Sequence, residues 1–435
     1  MRSLFLMDDQ AGLLTVKDKI LYALVGIFLV TFYPDHMIVV NNVVLILLST
    51  YCFFIYNSFR EKLYLLRQRR EVLVMAAFYL LHIISALVSN DVTEGFSWVL
   101  IRLPLFVFPV SMGLVFIKQE LKERILYAYS VITTIMLLIC MVWSAIQSIK
   151  LHDVTLLYND NITDFFMDKQ SVYIALMVNV AVFCFGYLLR VKSSFVGKKG
   201  WVYACIFILL VANFLLASRV SIISLYSCII LVAIAGAIKK GKTKQLIFVV
   251  AAMAAGLVVL VNFFPKTINR FKELKYTRYK YTDMGVEAHF NMSTSDYQWN
   301  GANIRLAVWS CGWDVVKKYP VFGAQLGDKV TEQMKVYKDK HFEFAYKSRR
   351  NMHNNYLDIW AAFGTVGFLI FLYGFLFEPI RQSIKTGDIL GLLIIASFML
   401  AFISETYFDR SIGSFMFGFF IALIVSYRKP EPKNS

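Results

Sequence analysis

Twelve apolar runs occupy most of the 435 residues, near 20–35, 38–56, 72–89, 98–117, 125–148, 171–189, 201–217, 220–238, 245–264, 354–377, 389–404 and 411–427. A stretch of about 17–25 apolar residues is the length a helix needs to cross hydrocarbon. The spacing therefore predicts an all-α polytopic membrane protein with about twelve transmembrane helices. Composition points the same way, because 58% of the residues are hydrophobic and only 17% are charged. A soluble domain of this length would need far more polar surface. Of six cysteines, all but Cys311 fall in apolar runs and none forms a CxxC pair, so neither a disulfide framework nor a zinc site is indicated.

The net charge of +16 raises nucleic acid as a partner, and its distribution argues against one. Alternate connections carry the cations: Arg60, Lys62, Arg67, Arg69 and Arg70; Lys118, Lys122 and Arg124; Arg190, Lys192, Lys198 and Lys199; Lys239, Lys240, Lys242 and Lys244; Arg381 and Lys385. Arg428, Lys429 and Lys433 follow the last run, while the intervening "YPDH" and "NDVTEGFS" have none. Positive charge resists translocation, so the basic side is cytoplasmic and both termini lie inside. The N-terminal "MRSLFLMDDQAGLLTVKDK" lacks a cleavage pattern and reads as a retained cytoplasmic tail.

One connection is large. Residues 265–353, between the ninth and tenth runs, form an outer loop with sixteen Lys and Arg against nine Asp and Glu; loops of this size cross largely regardless of charge. Within it, "NIRLAVWSCGWDVVKKYP" (303–320) sets Ile304, Val308, Cys311 and Val315 at three- and four-residue spacing, ending in Lys317, Lys318 and Pro320. That is an amphipathic helix, and Trp309 and Trp313 suit one resting on a lipid interface. Gly323 and Gly327 then allow a tight turn. No repeat is visible, so the expectation is a single integral membrane domain over 1–435 with short helices in the 265–353 loop.

Polar residues with chemical potential gather at the outer boundary. Arg219, in "LLASRVSIIS", lies between two apolar runs. An arginine there costs roughly 2.5–3.5 kcal/mol on insertion scales, so it is either a snorkelling anchor or an anion binder. Arg305 precedes Trp309 by one helical turn and is either solvated, stacked on an aromatic ring, or functional. In "RRNMHNNYLDIWAAFGTVGFLIFLYGF" (349–375), Arg349, Arg350, His353, Asn354 and Asn355 crowd the threshold of a membrane run; an asparagine is a good helix cap there. Arg102, within "WVLIRLPLFVFPV", needs a lipid phosphate or an acidic side chain as partner. Asp160, Asp164 and Asp168 would share one face if helical, as a solvated face or a place for a cation or sugar hydroxyls. No D-x-D, Walker, HExxH or GxSxG element is present.

In order, "SR" (218–219), "RLAVW" (305–309), "YPVFGAQLG" (319–327), "MHNNYLDIWAAFGTVGFLIFLYGF" (352–375) and "SETYFDRSIGSFMFGFFIAL" (404–423) resemble the O-antigen ligase and polymerase superfamily. The motifs cover the C-terminal half; the segment "DKQSVYIALM" before the sixth run has no histidine or arginine to align. The resemblance implies an enzyme of the bacterial inner membrane with a periplasmic loop and active site. Its members are inverting glycosyltransferases that take a glycan from undecaprenyl diphosphate without metal, nucleotide or other cofactor. Carried over residue by residue, Arg219 and Arg305 would steady the departing diphosphate and His353 would act as general base or phosphate ligand. Asn354, Arg102, Arg349, Arg350 and Trp309 are candidate substrate contacts around them.

Three readings follow from the resemblance. An O-antigen ligase acts on lipid A-core in lipopolysaccharide biosynthesis, a polymerase joins repeat units, and a protein O-oligosaccharyltransferase uses a protein acceptor. A transporter or flippase is a reading of a different class, and it would place charges at the bilayer midplane in helices broken by Gly or Pro.

Overall fold

Each apolar run contains a helix in the computed structural model, which describes residues 14–430 apart from 198, 242, 264–266, 268–270, 283–286 and 288–297. The tail at 1–13 and Lys198, Lys242 and Lys433 of the basic connections lie outside the described residues, as do the side chains of Lys239 and Lys240. No strand occurs among the described residues. Among the described residues, six helices are long and apolar enough to cross a membrane: Asp35–Tyr56, Arg70–Leu87, Gln119–Leu151, Ser171–Val191, Arg219–Ile238 and Asn355–Thr386. The pair Val92–Ile101 and Pro104–Leu114, bent by 43°, makes a seventh if counted as one crossing. By length and apolarity, then, six or seven of the twelve expected crossings qualify, in a multi-pass membrane protein.

One of the shorter apolar helices lies deep inside the bundle. Ser411–Ser426 has 16 residues and is buried without interruption from Gly413 to Ser426. At 1.5 Å per residue it spans about 24 Å, less than the hydrocarbon thickness. The outer helices instead present bare apolar side chains such as Val39, Ile46, Phe54, Phe207 and Leu231, the surface that lipid solvates. Between helices, short polar groups bond one another, as expected where burial drives nothing. Asn213 Nδ2 donates to Asn179 Oδ1 at 2.8 Å, Asn179 Nδ2 to the Ser221 carbonyl at 2.8 Å, and Ser224 Oγ to Ser397 Oγ at 3.1 Å.

The expected helix at 303–320 forms as Asn303–Lys318, with Ile304, Val308, Cys311 and Val315 all buried. Its tryptophans are not both at a lipid surface. Trp313 is exposed, but Trp309 packs with the buried Trp299, Ile304 and Val308 and donates Nε1 to the His353 carbonyl at 3.2 Å. The indole N–H requires an acceptor once buried, and that requirement turns Trp309 inward. The three acids at 160–168 do not share a face either. Only Asn161–Asp164 is helical; Thr163 O closes the turn by accepting from Met167 N and Asp168 N, and Asp168 turns left-handed at φ 46°.

The segment 319–327 is docked into a break in a membrane helix. Within Asn355–Phe371, Gly364 sits at φ 63°, ψ −167°, a region open essentially to glycine alone. The freed backbone groups find partners in the turn: Thr365 N donates to Pro320 O at 2.8 Å, Val366 N to Val321 O at 3.2 Å, and Ala324 N to Ala361 O at 2.7 Å. A Cβ on Gly364 would lie 2.2 Å from Val321 C and O, and one on Gly323 (φ 74°) 2.4 Å from Ala362 C. Glycines on both sides let two backbones touch, which fastens the long loop to the helix that follows His353.

Gly364→Ala should therefore destabilise the protein by about 3 kcal/mol or more, since a strained φ and a backbone clash add. Gly26→Ala, with nothing within 4 Å of the new methyl, should leave stability unchanged or raise it. Thermal unfolding of the two variants in detergent distinguishes them; equal midpoints would show that the docking does not constrain residue 364.

Candidate active site

The turn leading into the loop helix is closed by two asparagines that bond each other. Asn300 Oδ1 accepts from Ala302 N and Asn303 N at 2.8 and 3.1 Å, while Asn300 N donates to Asn303 Oδ1 at 2.8 Å. This fixes Gly301 one turn before Arg305. Arg305 Nη1 donates to Gly301 O at 2.5 Å and Nε to Ser404 O at 3.0 Å, leaving Nη2 without a partner among the described residues. Arg219, the first residue of its helix, reaches the same point. Its Nη1 pairs with Glu273 Oε2 at 3.2 Å, and both side chains are largely buried. A Cβ on Gly301 would stand 2.5 Å from Arg219 Nη2 and 3.3 Å from both Arg305 Nη1 and Glu273 Oε2. Two guanidiniums and one carboxylate thus crowd a spot that only glycine leaves open.

His353 is fixed at three places. Its backbone adopts φ 45°, uncommon for a residue other than glycine. Asn351 Oδ1 accepts its N–H at 3.1 Å, Trp309 Nε1 donates to its carbonyl at 3.2 Å, and Nδ1 faces Glu405 Oε2 at 3.1 Å. Burial alone would raise the Glu405 carboxyl, but the His353 hydrogen bond, the charges of His353 and Arg305 and the Thr406 N–H outweigh it and hold the group at about 2. An ionised carboxylate only accepts, so Nδ1 carries the hydrogen and Nε2 is left as the acceptor. Glu405 follows Ser404, whose carbonyl receives Arg305. Arg219, Arg305 and His353 are in this way linked through Gly301, Ser404 and Glu405.

The remaining candidates are dispersed around this centre. Asn354 caps the Asn355–Phe371 helix, accepting Leu357 N at 3.0 Å. Arg102, in the elbow of the bent pair, is fully buried and takes the acidic partners, bonding Asp358 Oδ2 at 2.6 Å and Asp409 Oδ1 at 3.2 Å. Lys329 joins the same carboxylates at 2.5 and 2.7 Å. Burial, and then the neighbouring Asp358, push the Asp409 carboxyl upward. Arg350 pairs with Glu287 at 2.5 Å, and Arg349 is exposed at φ 46°.

Sequence reasoning missed Glu405, Glu273, Gly301 and the Lys329–Asp358–Asp409 cluster. Glu405 had a signal. It is an acid set between the apolar runs 389–404 and 411–427, the same argument that picked out Arg219. Glu273 had none, being one acid in a loop dense with charge.

A membrane-embedded all-helical protein that holds two arginines and an oriented histidine at helix ends is fit to bind an anionic group and move a proton. Residues 204–372 match a family model described as O-antigen ligase. The match, over fewer than half of the 435 residues, supports a relationship to the O-antigen ligase superfamily of ligase- and polymerase-like glycan transferases. It spans Arg219, Arg305, Trp309, His353 and Asn354 and ends before Glu405. No curated protein matches the chain.

Glu405→Gln should remove the buried carboxylate that accepts from His353 Nδ1 and lower stability at pH 7 by roughly 1.5–3 kcal/mol, the worth of a hydrogen bond to a charged group. Because the native carboxyl is depressed, its contribution is complete above about 4.5, the usual glutamate value, and fades as pH falls toward about 2. The gap between wild type and variant should accordingly shrink between those limits. A gap independent of pH would rule out the ionised carboxylate as its source.

Proposed function

We propose that the chain is an inverting, metal-independent glycosyltransferase of the O-antigen ligase type, moving a glycan from undecaprenyl diphosphate to an acceptor such as lipid A-core. In this reading it sits in the bacterial inner membrane with about twelve crossings, both termini cytoplasmic and the site facing the periplasm. The observation that carries the reading is the meeting of Arg219 and Arg305 at Gly301, next to a histidine whose ring Glu405 orients.

The acceptor hydroxyl attacks the anomeric carbon from the face opposite the diphosphate. Its oxygen–carbon bond forms as the bond from carbon to phosphate oxygen breaks, and configuration inverts. The electron pair leaves on the diphosphate, where Arg305 Nη2 and the Arg219 guanidinium meet oxygens in charge-assisted bonds. The hydroxyl proton passes to His353 Nε2, and the imidazolium formed is stabilised by the Glu405 carboxylate on the other nitrogen. Gly301 matters because any side chain there would fill the space between the guanidiniums.

Polymerase and protein-glycosylating relatives would use the same groups, so the acceptor is what separates them. In a deletion strain, loss of all capped core supports the ligase, and single-repeat caps support a polymerase. For a transporter, the break at Gly364 is the relevant feature, and here the turn 320–324 closes it with backbone bonds.

With purified lipid-linked donor and acceptor in detergent, Arg219→Ala, Arg305→Ala and His353→Ala should each cut transfer by about 10²–10⁴-fold while the protein stays folded. EDTA should leave the wild-type rate unchanged. Normal transfer by His353→Ala removes it from the mechanism, and a strict divalent requirement removes the metal-free scheme.

A further inference from the structure

A large cavity stands at the other end of the molecule from the arginines. Ser171–Val191 connects the two regions: near its start the Val172 carbonyl receives Tyr407 OH at 3.1 Å, and at its end Arg190 lines the cavity. Its 21 residues cover about 31 Å, roughly a hydrocarbon thickness. The cavity has a volume of about 1520 Å³ and an apolar wall that includes Val182, Phe183, Ile206, Leu393 and Ile424. Its lining contains four cations, Lys122, Arg190, Arg428 and Lys429, against one carboxylate, Asp388. Two of the four are committed. Lys122 lies 3.5 Å over the Tyr427 ring and 4.0 Å from Asp388, and Arg428 bonds Glu71. Arg190 and Lys429 are exposed and make no ion pair among the described residues.

We propose that this cavity binds an anionic diacyl phospholipid of the cytoplasmic leaflet, with its phosphate at the Arg190–Lys429 rim and its acyl chains along the apolar wall. The cavity end carries the basic connections, among them Lys118, Arg124, Lys192, Arg381 and Lys385, which assigns it to the cytoplasmic side. Basic pockets between spanning helices on that side select anionic headgroups over zwitterionic ones. An apolar cleft with surplus positive charge at its mouth leaves a cost on both counts when empty, and an anionic lipid relieves both at once. The proposal does not depend on glycan transfer, since its ligand and its residues are separate from those at the arginine site.

The test uses the full-length protein in nanodiscs of phosphatidylcholine with or without phosphatidylglycerol, and native mass spectrometry of the protein after detergent washing. The wild type should retain phospholipid through washing, and phosphatidylglycerol should raise its unfolding midpoint by about 3 °C or more. Arg190→Glu/Lys429→Glu should lose that increment and the retained lipid. Arg60→Glu/Arg67→Glu, which alters an exposed basic patch elsewhere, should keep both. Equal midpoints in the two lipid mixtures, an increment that survives in the Arg190/Lys429 variant, or a polyprenyl phosphate as the retained species would each overturn the proposal.

Discussion

A guanidinium beside hydrocarbon must be given acceptors for its hydrogens without being neutralised outright, and the arginine-bearing end of this protein is arranged around that constraint. Arg305 meets it with two backbone carbonyls, Gly301 and Ser404, which satisfy N–H groups while adding no negative charge. Arg219 meets it with Glu273. Arg102, fully buried, meets it with two aspartates that are shared with Lys329. The three arginines consequently differ in what they can still do. A carbonyl-held guanidinium keeps its full attraction for an incoming anion, Arg219 with one carboxylate keeps part of it, and Arg102 between two carboxylates is largely spent on structure.

The same economy of contacts organises His353. Asn351 holds its N–H, Trp309 its carbonyl and Glu405 its ring, and Asn351 also donates to Asp409 Oδ2 at 3.4 Å. Phe408 N donates to Asn355 Oδ1, and Phe408 O accepts from Arg102. The buried charge cluster therefore fixes the 405–409 segment, which supplies the carboxylate that orients the histidine. Coupled to the Gly364 break, this makes the outer loop, the His353 helix and the last connection behave as one body.

What the sequence made legible follows the range of each signal. Apolar runs report local helix formation, and all twelve contain helices; they do not report which helices are interior, so 411–426 reads as an ordinary crossing although it is wrapped by its neighbours. The 303–318 helix was readable because its apolar spacing is internal to the segment. Asn354 as a cap and Arg219 as an isolated cation were readable for the same reason. Trp309 was not, because its direction is decided by a carbonyl 44 residues away. Glu273 and Gly301 acquire meaning only when distant segments meet, and Asp160, Asp164 and Asp168 show that spacing without a stable helix carries no face.

The central claim is that Arg219 and Arg305 form one receptor for a diphosphate, with His353 serving the chemistry and not the binding. The most direct measurement is the affinity of undecaprenyl diphosphate, the leaving group of the proposed reaction, for nanodisc-embedded wild type, the two single arginine variants, their double variant and His353→Ala. The account expects each arginine loss to weaken binding by tenfold or more, the pair to be non-additive, and His353→Ala to bind as the wild type does. Unchanged affinity in both single arginine variants, or full additivity with no coupling between them, would contradict a shared site.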